Sequence, residues 1–353
     1  MKAAVFYEAE DIRVEELDDP KPGHDDMIVE VAACGICGSD VEYFLGRSPV
    51  GTADGKGPLV LGHEFSGKIV ELGAGAIGGG LTVGDRVTVN PIQSCARCDA
   101  CRSGTPQFCT GLSVLGVTTN GGFAQFARTN VAHAYKVPDS LSDEQAAFVE
   151  MLAAAVNAVE KADIRPAQRV AIYGPGPVGL SMVQLAKAKG ASVTLIGTRD
   201  YRLAVGAELG ADHVINTGDS ASPHYAADLA EALVERTGGL ADRVIVGTGS
   251  IAAHEEALSI SAPGATVVFM GVTGPDDHVR VPTLNSLIAD KTIKFSLWYP
   301  WQWPRTIDIL RQGLVDTSKI ITHSAPLDDL PGAIRRVISR EGDGIKTVVR
   351  IAQ

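Results

Sequence analysis

The chain of 353 residues is long enough for two domains with cores of their own. Hydrophobic residues make up 45% and charged residues 21%, the balance of an ordinary globular protein, while 31 basic against 42 acidic side chains give a net charge of −11. That charge argues against nucleic acid as the main ligand. No apolar run approaches the roughly 18 residues of a membrane span, and charges break every run of the N-terminal MKAAVFYEAEDIRVEEL, so the expected location is the cytoplasm.

Residues 1 to 150 carry short β-type runs at Ala3 to Tyr7, Met27 to Ala33, Glu64 to Leu72, Arg86 to Val89 and Phe123 to Ala127. Between them stand Asp19-Pro20, Pro22-Gly23, Gly57-Pro58 and Val83-Gly84-Asp85 as breakers. Cys34 and Cys37 form a C-x-x-C that, taken alone, fits a redox dithiol. Downstream, Gly62-His63-Glu64 and then Glu150 add an imidazole and carboxylates. Thiolate, imidazole and carboxylates with room for water are the makings of a catalytic zinc with one position open, although nothing in the sequence brings these residues together.

Cys95, Cys98, Cys101 and Cys109 are separated by two, two and seven residues. Four thiolates in one short loop close a tetrahedral site, which predicts a structural zinc. An iron–sulfur cluster would take the same ligands, but nothing else in the chain is built for electron transfer. Gly73, Gly75 and Gly78 match G-x-G-x-x-G, yet they run into more glycine and then Val83-Gly84-Asp85-Arg86-Val87, so a turn between strands is expected there.

From about residue 152 the texture changes to alternating helix and strand, which means a parallel, doubly wound sheet. Helices are expected at Ala153 to Ala162, Asp228 to Arg236 and Ala252 to Ser261, and strands at Val170 to Tyr173, Arg243 to Val246 and Thr266 to Met270. Within this half, Arg169 to Arg202 is a dinucleotide-binding βαβ unit. A strand turns through Gly174, Gly176 and Gly179 into a helix with Val178, Met182, Leu185 and Ala186 on one face, and Ser192 to Ile196 is the next strand. Gly174 permits the tight turn, Gly176 lets backbone amides approach a pyrophosphate, and Gly179 packs the helix on the strand. The helix opens at Pro177 and Val178 with unpaired N–H groups facing the anion.

The second strand ends Leu195-Ile196-Gly197-Thr198-Arg199, with Arg202 close behind. A small residue followed by arginine leaves room and charge for a 2′-phosphate, so NADP is expected over NAD, with Thr198 and Arg199 at the phosphate and Arg202 beside them. In the alternative, Arg199 is a solvated charge and Asp200 serves the ribose.

From about Phe295 the tail holds expected helices at Arg305 to Gln312 and Leu330 to Arg340 and a closing strand at Lys346 to Ile351. All three tryptophans lie in Leu297-Trp298-Tyr299-Pro300-Trp301-Gln302-Trp303. Aromatic faces stack on sugar rings and apolar chains alike, which makes Trp298, Tyr299 and Trp301 candidates for a substrate pocket; the alternative has two of the three tryptophans in a core or interface. Among the eight histidines only His63 carries a strong case, and His323, in an Ile321-Thr322-His323 turn, is expected to be structural.

The ordered set of GICGSD, GHE, GDRV, the four-cysteine loop, an acidic residue near 150, GPGPVG and Ile321-Thr322-His323 resembles the zinc-containing medium-chain dehydrogenase/reductase family over essentially the whole chain. Within it the sequence resembles the sorbitol (polyol) dehydrogenase branch. The resemblance implies an α/β fold: a GroES-like, β-rich catalytic domain over residues 1–153, completed by 296–353, and a Rossmann NAD(P)-binding domain over 154–295. It also implies that Cys37 and His63 are ligands of a catalytic zinc with Glu64 the carboxylate beside it and Glu150 a further acidic ligand, that Ser39 begins a proton relay, that Cys34 is a buried thiol, and that the subunits form a homodimer or homotetramer. Two positions depart from the family pattern. Glu42 stands where a relay histidine is usual, and Trp298 stands where the polyol branch carries an arginine.

The expected activity is therefore that of a zinc-dependent oxidoreductase with two zinc ions per chain, transferring hydride between a polyol, sugar or secondary alcohol and NADP(H). Proton exit would run through Ser39, by way of the cofactor ribose or Glu42. The alternatives are an aldehyde or ketone reductase of the same family, which NADP would favour, and a non-catalytic zinc-binding relative. Cys37, Ser39, His63, Glu64 and Glu150 together speak against the latter, since a dead copy has no physical need for an open metal site.

Overall fold

The computed structural model describes residues 1–48, 52, 55–299, 301–340 and 342–351; Pro300 lies outside them. The chain divides into two units, one of Met1–Met151, Trp298–Gln312 and Ile321–Gln353, the other of Leu152–Leu297 and Gly313–Ile320. Among the described residues no helix is long and apolar enough to cross a membrane.

In the first unit, breakers every few residues leave room for short strands. In chain order these elements are β1 (Lys2–Glu8), β2 (Asp11–Glu16), β3 (Asp26–Gly35), α1 (Gly38–Phe44), β4 (Leu59–Val60), β5 (Glu64–Leu72), β6 (Arg86–Val89), β7 (Ile92–Gln93), α2 (Asp99–Arg102), β8 (Ser113–Val114), β9 (Phe126–Asn130) and β10 (Ala134–Lys136). The glycine run after β5 is a turn, as its sequence context predicts, with Gly78 and Gly80 at φ +88° and +90°. Phe123 is not in a strand. Its N–H donates to Leu61 O and its C=O accepts from the Ala4 N–H of β1, so it links β1 to the segment between β4 and β5 ahead of β9.

Helix α3 (Asp143–Lys161) begins ten residues before the expected start at Ala153. Ala147, Val149, Leu152, Ala153, Ala155 and Ala158 are all fully buried. A helix covered on every side shows no 3.6-residue stripe, which is why its first half escapes periodicity.

The second unit is the alternating one: β11 (Arg169–Tyr173), α4 (Pro177–Ala188), β12 (Ser192–Gly197), α5 (Asp200–Glu208), β13 (His213–Asn216), α6 (Leu229–Thr237), β14 (Ala241–Val246), α7 (Ile251–Ser259), β15 (Ser261–Phe269), α8 (Thr283–Ile288) and β16 (Thr292–Phe295). All pairings are parallel, in the order β13-β12-β11-β14-β15-β16. Sequence patterning finds the buried central strands. It misses β13 and β16, the four-residue strands at the sheet edges, where polar and apolar residues mix.

The chain then returns to the first unit with α9 (Trp303–Arg311), β17 (Ile321–Pro326), α10 (Leu330–Ser339) and β18 (Lys346–Arg350). The Ile321-Thr322-His323 stretch is strand rather than turn, because β17 pairs in parallel with β18 and takes its extended form from that ladder. The main sheet runs β10-β6-β5-β3-β18-β17, with β9 also on β3. Two registers position the chemistry: Gly35 of β3 faces Glu64 of β5, and Val348 of β18 faces the same Gly35.

Candidate functional site

Because β3 ends at Gly35 opposite the first residue of β5, the chain just beyond β3 meets the chain just before β5. Cys37 caps α1, and its N–H donates to Asp40 Oδ2 at 2.8 Å. His63 and Glu64 enter from the other side, and ligand atoms of Cys37, His63 and Glu64 all lie within 4.8 Å of one another. Gly35 is required by this closeness, since a Cβ there would sit 2.1 Å from Glu64 Oε2. Gly62, at φ +89°, makes the turn into His63.

The donors fit a metal ion. Among the described residues His63 Nδ1 and Glu64 Oε1 are buried without hydrogen-bond partners, while Glu64 Oε2 pairs with the Lys346 ammonium. Asp40 Oδ1 is 3.6 Å from His63 Nδ1, close enough to orient the ring but not to bond it. The buried Lys346 ammonium forms an ion pair with Glu64 and donates to Ile36 O at 2.9 Å. Buried polar atoms left unpaired cost energy that a bound cation removes, and thiolate, imidazole and carboxylate are the ligands of a zinc site with an open position. Burial pushes the His63 imidazole down, but the charges of Asp40 and Cys37 outweigh it and hold the ring well above its ordinary value. Lys346 is likewise desolvated, and Glu64 and Cys37 nonetheless raise it.

Ser39 Oγ lies 3.4 Å from His63 Nε2. Glu42 faces elsewhere: it is half-buried and paired with Arg47 through two contacts of 3.2 Å. Glu150 projects from α3, is 3% exposed, and is not part of the Cys37, His63 and Glu64 group. Its Oε1 accepts a hydrogen bond from the Tyr299 hydroxyl. Burial pushes the Glu150 carboxyl up to about 7. Cys34 is fully buried, with its sulfur toward Gly35 O at 3.9 Å, and burial raises its thiol well above the usual range. Both cysteines are free thiols, so the C-x-x-C is not closed as a disulfide here.

The aromatic segment divides. Trp303 is fully buried and stacks on Tyr299, ring centroids 5.6 Å apart, and on Tyr135 at 6.1 Å. Trp298, at φ +55°, packs half-buried against the core of the first unit, and Trp301 is 65% exposed. Trp303 is therefore a core residue. Sequence reasoning misses Asp40, whose spacing from Cys37 is that of a capping box, and Lys346, for which only the β18 register gives a signal.

Cys95, Cys98, Cys101 and Cys109 come together as a second group. The Cys95 N–H donates to Cys109 Sγ at 3.2 Å and the Cys98 N–H to Cys95 Sγ at 3.4 Å, as amides do around thiolates. N–H groups of Cys101 and Thr110 lower Cys98 to about 6, while burial raises Cys101 to about 11.

In the second unit Gly174 has φ +93°, a Cβ on Gly179 would sit 1.9 Å from Gly174 O, and a Cβ on Gly176 would meet nothing within 4 Å. Turn, tight packing and open space thus fall where a pyrophosphate needs them, ahead of Pro177 and Val178 at the start of α4. At the end of β12, Thr198 is exposed and Arg199 makes no side-chain hydrogen bond or ion pair among the described residues. Asp200 is committed: its Oδ1 accepts from Asn216 Nδ2 and Ser222 Oγ, both at 2.7 Å, and those bonds lower its carboxyl. Arg202 packs its guanidinium over Tyr201.

A β-rich unit with two metal-ligand groups and a parallel-sheet unit with a dinucleotide fingerprint define a nicotinamide-dependent dehydrogenase of the zinc type. Residues 23–139 match the alcohol dehydrogenase GroES-like domain, and residues 177–312 match the zinc-binding dehydrogenase family. Sorbitol dehydrogenase of Bacillus subtilis (strain 168) is 32% identical over 354 residues, covering 99% of this chain and 97% of its own. Among solved structures, the alcohol dehydrogenase RspB of Escherichia coli CFT073 complexed with NADH superimposes with a TM-score of 0.89 at 30% identity, covering 99% of both chains. A zinc-binding dehydrogenase of Sinorhizobium meliloti 1021 bound to NADP gives 0.89 at 30% identity, covering 99% of this chain and 98% of that one. The chain belongs to the zinc-containing alcohol dehydrogenase family and is an NAD(P)-dependent oxidoreductase of it.

Proposed function

We propose that this enzyme oxidises a hydroxyl of a polyol, sugar or secondary alcohol, with NADP preferred and two zinc ions per chain. The observation that carries the reading is the Cys37, His63 and Glu64 group, its imidazole and carboxylate buried with unpaired donor atoms, in a chain that also holds the dinucleotide fingerprint. The sorbitol dehydrogenase relative supports the substrate class. Cys37, His63 and Glu64 would hold the catalytic ion and Cys95, Cys98, Cys101 and Cys109 the structural one. When bound, the catalytic zinc lowers the pKa of a coordinated hydroxyl. Asp40 orients the imidazole, and Ser39, beside His63, takes the departing proton toward solvent. Because Glu42 is engaged by Arg47, Ser39 rather than Glu42 is the side chain that would receive the proton. Carbonyl reduction uses the same groups in reverse, and NADP preference favours it.

The NADP reading rests on Arg199 having no side-chain partner among the described residues while Asp200 is bonded to Asn216 and Ser222. A charge-assisted bond contributes about 1.5–3 kcal/mol, so Arg199→Ala should weaken NADP by roughly tenfold or more and leave NAD unchanged. Equal loss of both in initial-rate kinetics would contradict it. A cytoplasmic location suits six thiols that stay reduced. A homodimer is supported by the open edge of β16 and by Leu284, Leu287 and Ile288 of α8 and Phe295 and Leu297 at and just beyond the end of β16, which are 58–77% exposed. A second copy laid here would cover both the apolar side chains and the open edge of β16. Leu287→Asp with Ile288→Asp should give monomers in sedimentation; an unchanged species would remove this surface from the interface.

The test of the whole reading is nicotinamide reduction with sorbitol, sugars and simple secondary alcohols, each with NADP and NAD. Turnover on none of them, in either direction, by zinc-loaded protein would refute it.

A further inference from the structure

Resting on the metal-centre reading above, we propose that Tyr299 is a positioning residue that tethers Glu150 outside the inner shell of the catalytic metal, so that Cys37, His63 and Glu64 alone contribute protein ligands. Three observations carry this. Glu150 is buried in the same region, yet its carboxylate is absent from the set of ligand atoms that lie within 4.8 Å of one another. One of its oxygens is taken by the Tyr299 hydroxyl. And Tyr299 is not free to swing: its ring lies nearly parallel to that of the fully buried Trp303, at 14°, and Trp303 in turn stacks on Tyr135 at 27°. The tyrosine is thus the end of a three-ring pile anchored in the first unit, and its hydroxyl fixes where the carboxylate stands. A carboxylate released from that bond has a flexible side chain and a strong affinity for a divalent cation, and would close the position a substrate hydroxyl needs.

The test is the visible spectrum of the cobalt(II)-substituted protein, with Cys37→Ser as the blank that removes the four-cysteine contribution. Tyr299→Phe keeps the ring pile and deletes only the hydroxyl. Its cobalt bands should shift as Glu150 takes the open position in place of water, and Tyr299→Phe with Glu150→Gln should restore the wild-type spectrum. A Tyr299→Phe spectrum identical to wild type, or a change that persists in the double variant, overturns the proposal while leaving the metal centre intact. A wild-type spectrum indistinguishable from the Cys37→Ser blank would overturn the metal-centre reading itself, and this proposal with it.

Discussion

The four-cysteine loop and the Cys37, His63 and Glu64 group differ first in how their ligands are gathered. Cys95, Cys98, Cys101 and Cys109 come from one loop around α2, with backbone amides of the same loop directed at the sulfurs. The other three come from the end of β3 and the start of β5, and only strand register brings them together, with Lys346 of β18 added by the same means. The loop supplies four like ligands and is complete. The assembled group supplies three unlike ones and leaves a coordination position for something else. A local site serves to hold a fold, whereas a site built across strands can be left open because the sheet, not the ion, keeps its ligands in place.

This difference can be broken by exchanging the consequences. Cys37→Ser should lower kcat/KM by at least about a thousandfold, the several kcal/mol that metal assistance supplies, with circular dichroism and Tm nearly unchanged. Cys101→Ser should do the opposite, losing its zinc and several degrees of Tm while each folded molecule keeps its turnover. The same loss in both variants would mean that the two groups are not specialised. Asp40→Asn should weaken zinc at the assembled site by about 10–100-fold, the usual cost of removing an outer partner of a ligand histidine, read by chelator competition; it should not touch the loop's zinc.

A smaller effect concerns Glu150, which burial raises to about 7 from an ordinary value of 4.5. Between those values the metal-free native protein holds a proton that the unfolded chain has released. The stability it contributes is complete below about pH 4.5 and is lost as pH rises through about 7. Metal-free Glu150→Gln should therefore gain Tm relative to wild type on going from pH 5 to pH 8. A constant difference across that range would contradict the buried-carboxyl assignment.

The same contrast decides what the amino-acid sequence reveals. The cysteine loop and the glycines at 174, 176 and 179 are legible because their chemistry is written in adjacent residues. Cys37, His63 and Glu64 are recognisable as ligand types, but their meeting depends on Gly35 facing Glu64 across the ladder. Lys346 stands 282 positions after Glu64 in the chain, and nothing around it marks it as part of a site. Helix α3 is misjudged at its start because all its faces are covered. The tryptophans cluster in sequence yet separate in space, Trp303 into the core and Trp301 toward solvent, since a helix begins between them.

The most direct test of the account counts zinc per chain and sorbitol-dependent nicotinamide reduction together, in the wild type and in Cys37→Ser. Two zincs with turnover in the first, and one zinc without turnover in a folded second, is the predicted result. Equal turnover, or an unchanged zinc count, would contradict the claim that Cys37, His63 and Glu64 form the catalytic metal centre.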